Sequence, residues 1–218
     1  MALTLLLIAL LTLAAGLTVR WVLGGRADAL GRPRPFPRVG VGVALVLAAT
    51  CAVPIWRHAR LEARLEAAAR QLAGGEVDVN CQTFGHTWAD VGAELGYVRW
   101  GPDGVPERST LIKYETCGDL RSWLRSDKRA PSRDQMVAVH VLTHEVMHMI
   151  GIKEEARAEC AAVQRDAAMA VALGADPAQG EALARRYWTE IYPRMPDGYR
   201  GGCGPGGAFD EGVAVPPW

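Results

Sequence analysis

Two uncharged apolar blocks close to the N-terminus, Ala2–Thr18 and Val39–Trp56, constrain this chain more than any other feature of its 218 residues. They hold 17 and 18 residues, and a helix needs roughly 17–25 apolar residues to cross the hydrocarbon of a bilayer. Trp21 and Trp56 stand at their ends, where amphipathic rings settle at a membrane interface. The reading is a transmembrane hairpin over residues 1–56. A cleaved signal peptide would want a basic leading region and a polar stretch before its cleavage site, and neither precedes Arg20. Two buried helices of a soluble protein are the remaining alternative.

The loop between the blocks, residues 20–38, sets the orientation. It carries Arg20, Arg26, Arg32, Arg34 and Arg38 against the single acid Asp28, and short Arg-rich loops stay in the cytoplasm. Both ends of the chain then face outward. Arg57, Arg60, Arg64 and Arg70 beyond the second block pull the other way, with Glu62 and Glu66 among them offsetting the rule only weakly. Cysteine usage is an independent indication. Cys51 falls inside the second block and reads as a small apolar side chain. Cys81, Cys117, Cys160 and Cys203 all lie beyond it, an even number that fits two disulfides in an oxidising compartment, with three pairings open. No two of them have C-x-x-C spacing, which argues against a cysteine zinc site.

Charge excludes one large class. Residues 79–218 hold fifteen basic and nineteen acidic residues, and a net negative domain lacks the clustered positive face that nucleic acid requires. From Ala59 the chain turns amphipathic, with Leu61, Leu65, Ala68 and Leu72 at helical spacing and Gly74-Gly75 as a stop. Residues 57–75 read as a stalk helix, bent at Pro54 or lying on the lipid surface. The remainder, 76–218, reads as a small α+β domain that is mostly helical. Val77, Val79 and Cys81 alternate; Gly96–Trp100 and Ser109–Tyr114 flank a Gly-Pro-Asp-Gly-Val-Pro connector and predict a β-hairpin. Helices are predicted over 119–126, from Pro131 to Ile150, from Lys153 to Leu173 and from Asp176 to Ile191, followed by an irregular Gly- and Pro-rich tail.

The chemistry concentrates in Thr143-His144-Glu145-Val146-Met147-His148, an H-E-x-x-H motif on a predicted helix. Residues four apart project from one face, about 5–6 Å apart at Cβ, so His144 and His148 can share one tetrahedral Zn2+. Glu145, beside them, can take a proton from water on that metal. The bland alternative is a core helix whose histidines are satisfied by hydrogen bonds. His140 extends the stripe to three, and one ion cannot easily take all three from a straight helix, so His140 reads as packed or as support for a ligand.

This motif resembles that of the zincin metallopeptidases, and the likeness covers Met136 to Gln164. It implies hydrolysis of a peptide bond, with Zn2+ as cofactor and Glu145 as catalytic base. The third ligand is open. Gly151 and Glu154 fit H-E-x-x-H-x-x-G-x-x-E, which resembles the metzincin pattern with Glu replacing its last His. Glu155 and Glu159 fit the gluzincin arrangement, a ligand Glu on a second helix with an acidic residue four positions on. That arrangement, a helical hairpin reversing at Gly151, is favoured here, with Glu155 and Glu159 both at the metal. The spacing to the third ligand is shorter than in familiar gluzincins. Cys160 would let a disulfide clamp the second helix.

The resemblance further implies an edge strand that aligns substrate, for which the 96–114 hairpin is the candidate. It also implies a donor to the oxyanion, with Tyr187, Tyr192, Tyr199, Arg185 and Arg186 available. The expectation is a cell-membrane protein of two spans whose outward domain is a zinc metallopeptidase acting on peptides or proteins. The alternatives are a non-catalytic binding module with a structural metal, and a protease working inside the bilayer. Charged residues bracketing the motif helix speak against the last.

Overall fold

The computed structural model describes residues 2–24, 27, 30–87, 92 and 94–218, with only the backbone of residue 86. Arg26 and Asp28, both used in the orientation reading, lie outside these. The chain is mostly helical with one small sheet, and it divides into two units, Met1–Arg60 and Leu61–Trp218.

In the first unit, α1 covers Ala2–Leu23 and α2 begins at Arg38, running without interruption through Pro54 to Ala73. The 22 residues of α1 rise roughly 30 Å, about the thickness of a bilayer's hydrocarbon. Both helices are long and apolar enough to cross a membrane. Their side chains do not make a protein core. Leu5, Ile8, Val39 and Val46 are among many exposed apolar groups, and the buried ones are the small Ala14, Ala44, Ala48 and Cys51. Cys51 is a free thiol. Between the helices, the Trp21 indole donates to the Arg34 carbonyl at 3.0 Å and its ring meets Phe36 edge-on at 5.2 Å.

The second unit starts inside α2. The helix expected as a stalk is present, but its apolar stripe is part of the domain core: Leu65 is 0% exposed, and Leu61, Ala68 and Ala69 are buried with it. A left-handed Gly74, φ +61°, ends the helix, the conformation glycine adopts without strain. Three strands follow: β1 (Asp78–Cys81), β2 (Gly96–Trp100) and β3 (Pro106–Ile112). β3 is central, parallel to β1 and antiparallel to β2, so the predicted hairpin forms and β2 is an outer strand. Alternation in β1 sends Val79 and Cys81 inward. The free edge of β1 is not left open: Glu62 Oε1 accepts from Cys81 N at 2.8 Å, and Glu66 Oε1 lies 3.5 Å from Val79 N. These acids, one helical turn apart, cap backbone donors that could otherwise recruit another strand.

α3 (Tyr114–Arg125) buries Leu120 and Trp123, and its Cys117 bonds to Cys81. α4 (Arg133–Met149) opens with a Ser132–Gln135 capping box and is buried almost throughout from Met136 onward. A helix covered on all sides belongs at the centre of its domain, so its polar side chains must find partners within the protein. The chain then reverses. Gly151, φ +106°, follows the last turn, and Ile152 N donates to the Met147 carbonyl at 3.1 Å, a glycine-terminated helix end. α5 (Glu155–Val163) runs back against α4, and α6 (Asp166–Ala172) follows it. The single helix expected over 153–173 is broken at Gln164 and Arg165. Gln164 instead anchors the tail: its amide donates to the Phe209 carbonyl at 3.0 Å and its oxygen accepts from Glu211 N at 2.8 Å. α7 (Pro177–Arg186) continues as one π turn over Tyr187–Ile191. The second disulfide, Cys160–Cys203, ties α5 to the irregular tail. Closing loops of this size contributes about 3–4 kcal/mol each in a chain-entropy account.

Candidate metal centre

α4 and α5 bring five of the residues singled out in the sequence to one place. His144 and His148 project from one face of α4, and Glu155 reaches them from the first turn of α5. His144 Nε2 and His148 Nε2 are 2.9 Å apart, and Glu155 Oε2 lies 3.2 Å from the first and 3.4 Å from the second. The other nitrogen of His148, Nδ1, donates to the Ile152 carbonyl at 2.7 Å. Its Nε2 therefore carries a lone pair when the ring is neutral. His144 Nδ1 sits 3.2 Å from Glu159 Oε2, close enough for charge attraction though not aligned as a hydrogen bond.

Two imidazole nitrogens and a carboxylate oxygen thus converge on one point. Without a cation or an added proton, their lone pairs repel. Ligand bonds of about 2.0–2.2 Å in a tetrahedral zinc site separate neighbouring donors by roughly 3.3 Å, close to the spacing found. The donor set fits the metal. His144 and His148 are buried, whereas the Glu155 side chain is 48% exposed, so the point of convergence opens toward solvent on the α5 side. Electrostatics agree with a cation-seeking pocket. Hydrogen bonds from His144 and His148 hold the Glu155 carboxyl down at about 2, and it stays ionised. Burial opposes a charge on His144, but Glu155 and Glu159 outweigh burial and lift it to about 9. In the absence of metal this pocket takes up a proton.

Glu145 lies next to these donors but is not one of them. It is buried, its Oε2 has no hydrogen-bond partner among the described residues, and it sits under the outer strand: a Cβ on Gly96 would come within 3.0 Å of its Oε1. Burial pushes its carboxyl pKa up, against a smaller downward pull from His144 and His148. Trp100, at the far end of β2, meets His148 edge-on at 6.4 Å.

Glu159 separates from Glu155. It turns to the other side of His144, where His140 Nε2 lies 2.9 Å from its Oε2 and Tyr187 donates to its Oε1 at 2.9 Å. Glu154 is the exposed residue preceding α5 and belongs to neither of the two groups of side chains that could hold a metal ion among the described residues, His144–His148–Glu155 and the buried His140–His144–Glu159. Among the five donors considered for an oxyanion, Arg185 and Arg186 pair with Glu181 and Glu190, Tyr187 is committed to Glu159, and Tyr192 stacks on Trp188. Tyr199 alone of the five has its ring against the site, 6.0 Å from His144. Burial first, then Glu155, Glu159 and Glu145, raise its phenol pKa, so it stays a donor.

Sequence reasoning missed Asp166, whose Oδ2 is 2.9 Å from His140 Nδ1, and the part played by Gly96. No local signal marks either, because their partners lie 26 residues away or more. No protein-family model, curated protein or solved structure matches this chain. The likeness to zincins rests on the residues themselves.

Proposed function

We propose that this protein is a membrane-anchored zinc metallopeptidase whose catalytic domain lies outside the cytoplasm. The observation that carries the proposal is the convergence of His144 Nε2, His148 Nε2 and Glu155 Oε2 beside the buried Glu145 carboxyl, whose Oε2 has no hydrogen-bond partner among the described residues. A core helix whose histidines were satisfied elsewhere would not gather two imidazole nitrogens and a carboxylate oxygen within 3.4 Å of one another. In this reading those three residues hold Zn2+. The metal, when bound, supplies a Lewis acid that lowers the pKa of water and polarises a carbonyl. Glu145 accepts the proton of the attacking water and delivers it to the departing amine, a task suited to a carboxyl whose pKa burial has raised. Tyr199 donates to the developing oxyanion. β2, as an outer strand, offers main-chain groups to an extended peptide, and Gly96 leaves Glu145 room beneath it.

The metal is the first test. Full-length protein purified in detergent micelles should carry one zinc per chain, and His148→Ala should carry almost none under the same conditions. Wild-type protein free of metal after reconstitution with zinc would refute the reading.

Location rests on α1, on the apolar part of α2 and on the two disulfides, which persist in oxidising compartments. In this reading residues 20–38, with their five arginines, lie in the cytoplasm. An impermeant thiol reagent applied to intact cells should therefore label Cys81, Cys117, Cys160 and Cys203 only after reduction. Labelling of these four without reductant would show that the domain is not oxidised.

A further inference from the structure

Behind the outer ligands lies a second cluster that the proposed chemistry does not use: His140, Asp166, Glu159 and Tyr187, all at most 2% exposed. His140 Nδ1 lies 2.9 Å from Asp166 Oδ2, and its Nε2 lies 2.9 Å from Glu159 Oε2. The ring is stacked on Tyr187 at 3.8 Å, and the Tyr187 hydroxyl donates to the other Glu159 oxygen. A neutral imidazole has one N–H and can satisfy one carboxylate. Its second nitrogen would then face the other carboxylate lone pair to lone pair. Two buried carboxylates with no counter-charge are costly as well. The cluster therefore holds one more proton than neutral histidine between two carboxylates would supply.

We infer that His140, clamped between Asp166 and Glu159, is a positioning residue that fixes the Glu159 carboxylate beside His144 Nδ1 and so orients a metal ligand. This rests on the reading of His144, His148 and Glu155 as the zinc site. Both Glu159 oxygens are held, one by His140 and one by Tyr187, and the oxygen on His140 is the one 3.2 Å from His144. A carboxylate so placed favours the His144 tautomer with its proton on Nδ1, which leaves Nε2 free for the metal.

His140, His144 and Glu159 could instead hold a second cation. That occupant would require His144 to give up its Nδ1 proton while Nε2 serves the first ion, and it would sit on three donors in a space closed to water. A hydrogen bond between His140 Nε2 and Glu159 Oε2, 2.9 Å apart, makes no such demand on His144.

The test uses full-length protein in micelles, with zinc and cobalt(II) as probes. Zinc per chain, the zinc dissociation constant by chelator competition and the visible spectrum of the cobalt form are compared for wild type, His140→Phe and Asp166→Asn. Asp166→Asn keeps the side-chain shape, and it carries the test if His140→Phe does not fold. The expected result is one zinc per chain throughout, bound roughly 10–100-fold more weakly in the variants, with shifted cobalt ligand-field bands, which loss of packing alone would not produce. Two zinc ions in wild type and one in His140→Phe would overturn the inference and make the cluster a second metal site. Wild-type affinity and spectrum in a folded Asp166→Asn would overturn it too. Absence of zinc from wild type would instead sink the metallopeptidase reading beneath it.

Discussion

Glu145→Gln should abolish peptide hydrolysis while leaving one zinc per chain. The substitution keeps volume and shape, and Glu145 is not one of the three converging donors. Its Oε2 has no partner among the described residues to lose, and the buried carboxyl is replaced by an uncharged amide, so the fold should be at least as stable as wild type. What disappears is the proton acceptor. General base catalysis contributes roughly 10²–10⁴-fold, and the loss should reach the upper end because the other carboxylates nearby are engaged with histidines. Turnover of a quenched-peptide mixture on which wild type acts, with zinc measured on the same sample, decides the matter. Zinc lost together with activity would mean that Glu145 is structural and that its assigned role fails.

Glu155→Gln should weaken zinc binding more than any other single acidic substitution in the domain. Its Oε2 faces both ligand nitrogens, and an amide oxygen there supplies no negative charge. Glu159→Gln should cost less, roughly 10–100-fold, since it acts through His144 and not on the metal. Glu154→Gln should change affinity hardly at all: it is exposed, precedes α5 and makes no contact with either histidine. Competition with a chelator across the three variants gives the ranking. If Glu154→Gln alone strips the metal, the chain must leave helical geometry after Gly151 in the zinc form, and the helical hairpin is mistaken.

Local pattern carried the two apolar helices, the hairpin, the motif helix and the reversal at Gly151, because each depends on residues within a turn or two of one another. What it could not carry were partners. The Leu61–Leu65–Ala68 stripe is the same whether a helix lies on lipid, stands free or packs in a core, and only the rest of the domain decides for the core. Glu62 and Glu66 read as charges among arginines, yet they accept hydrogen bonds from a strand 13–19 residues on. The Ala-rich run from Lys153 to Leu173 has no breaker, and the break at Gln164 comes from tail residues some 45 positions later. The pairing of four cysteines, and the division of labour between Glu155 and Glu159, were open in the sequence for the same reason. His140 gained its role only when Asp166 and Tyr187 arrived from α6 and the π turn.

The continuity of α2 into the core of the second unit has a practical side. A scissor placed at Gly74-Gly75, where composition suggests a linker, would not free an intact domain. It would remove Leu61, Leu65, Ala68 and Ala69 from the interior, where each lost leucine costs about 2–5 kcal/mol, and strip Glu62 and Glu66 from the β1 edge. The fragment left behind would carry an open strand and a trough along its hydrophobic interior, the ingredients of aggregation. A cut that leaves the second unit folded must fall before Leu61; a cut after it is a route to disposal.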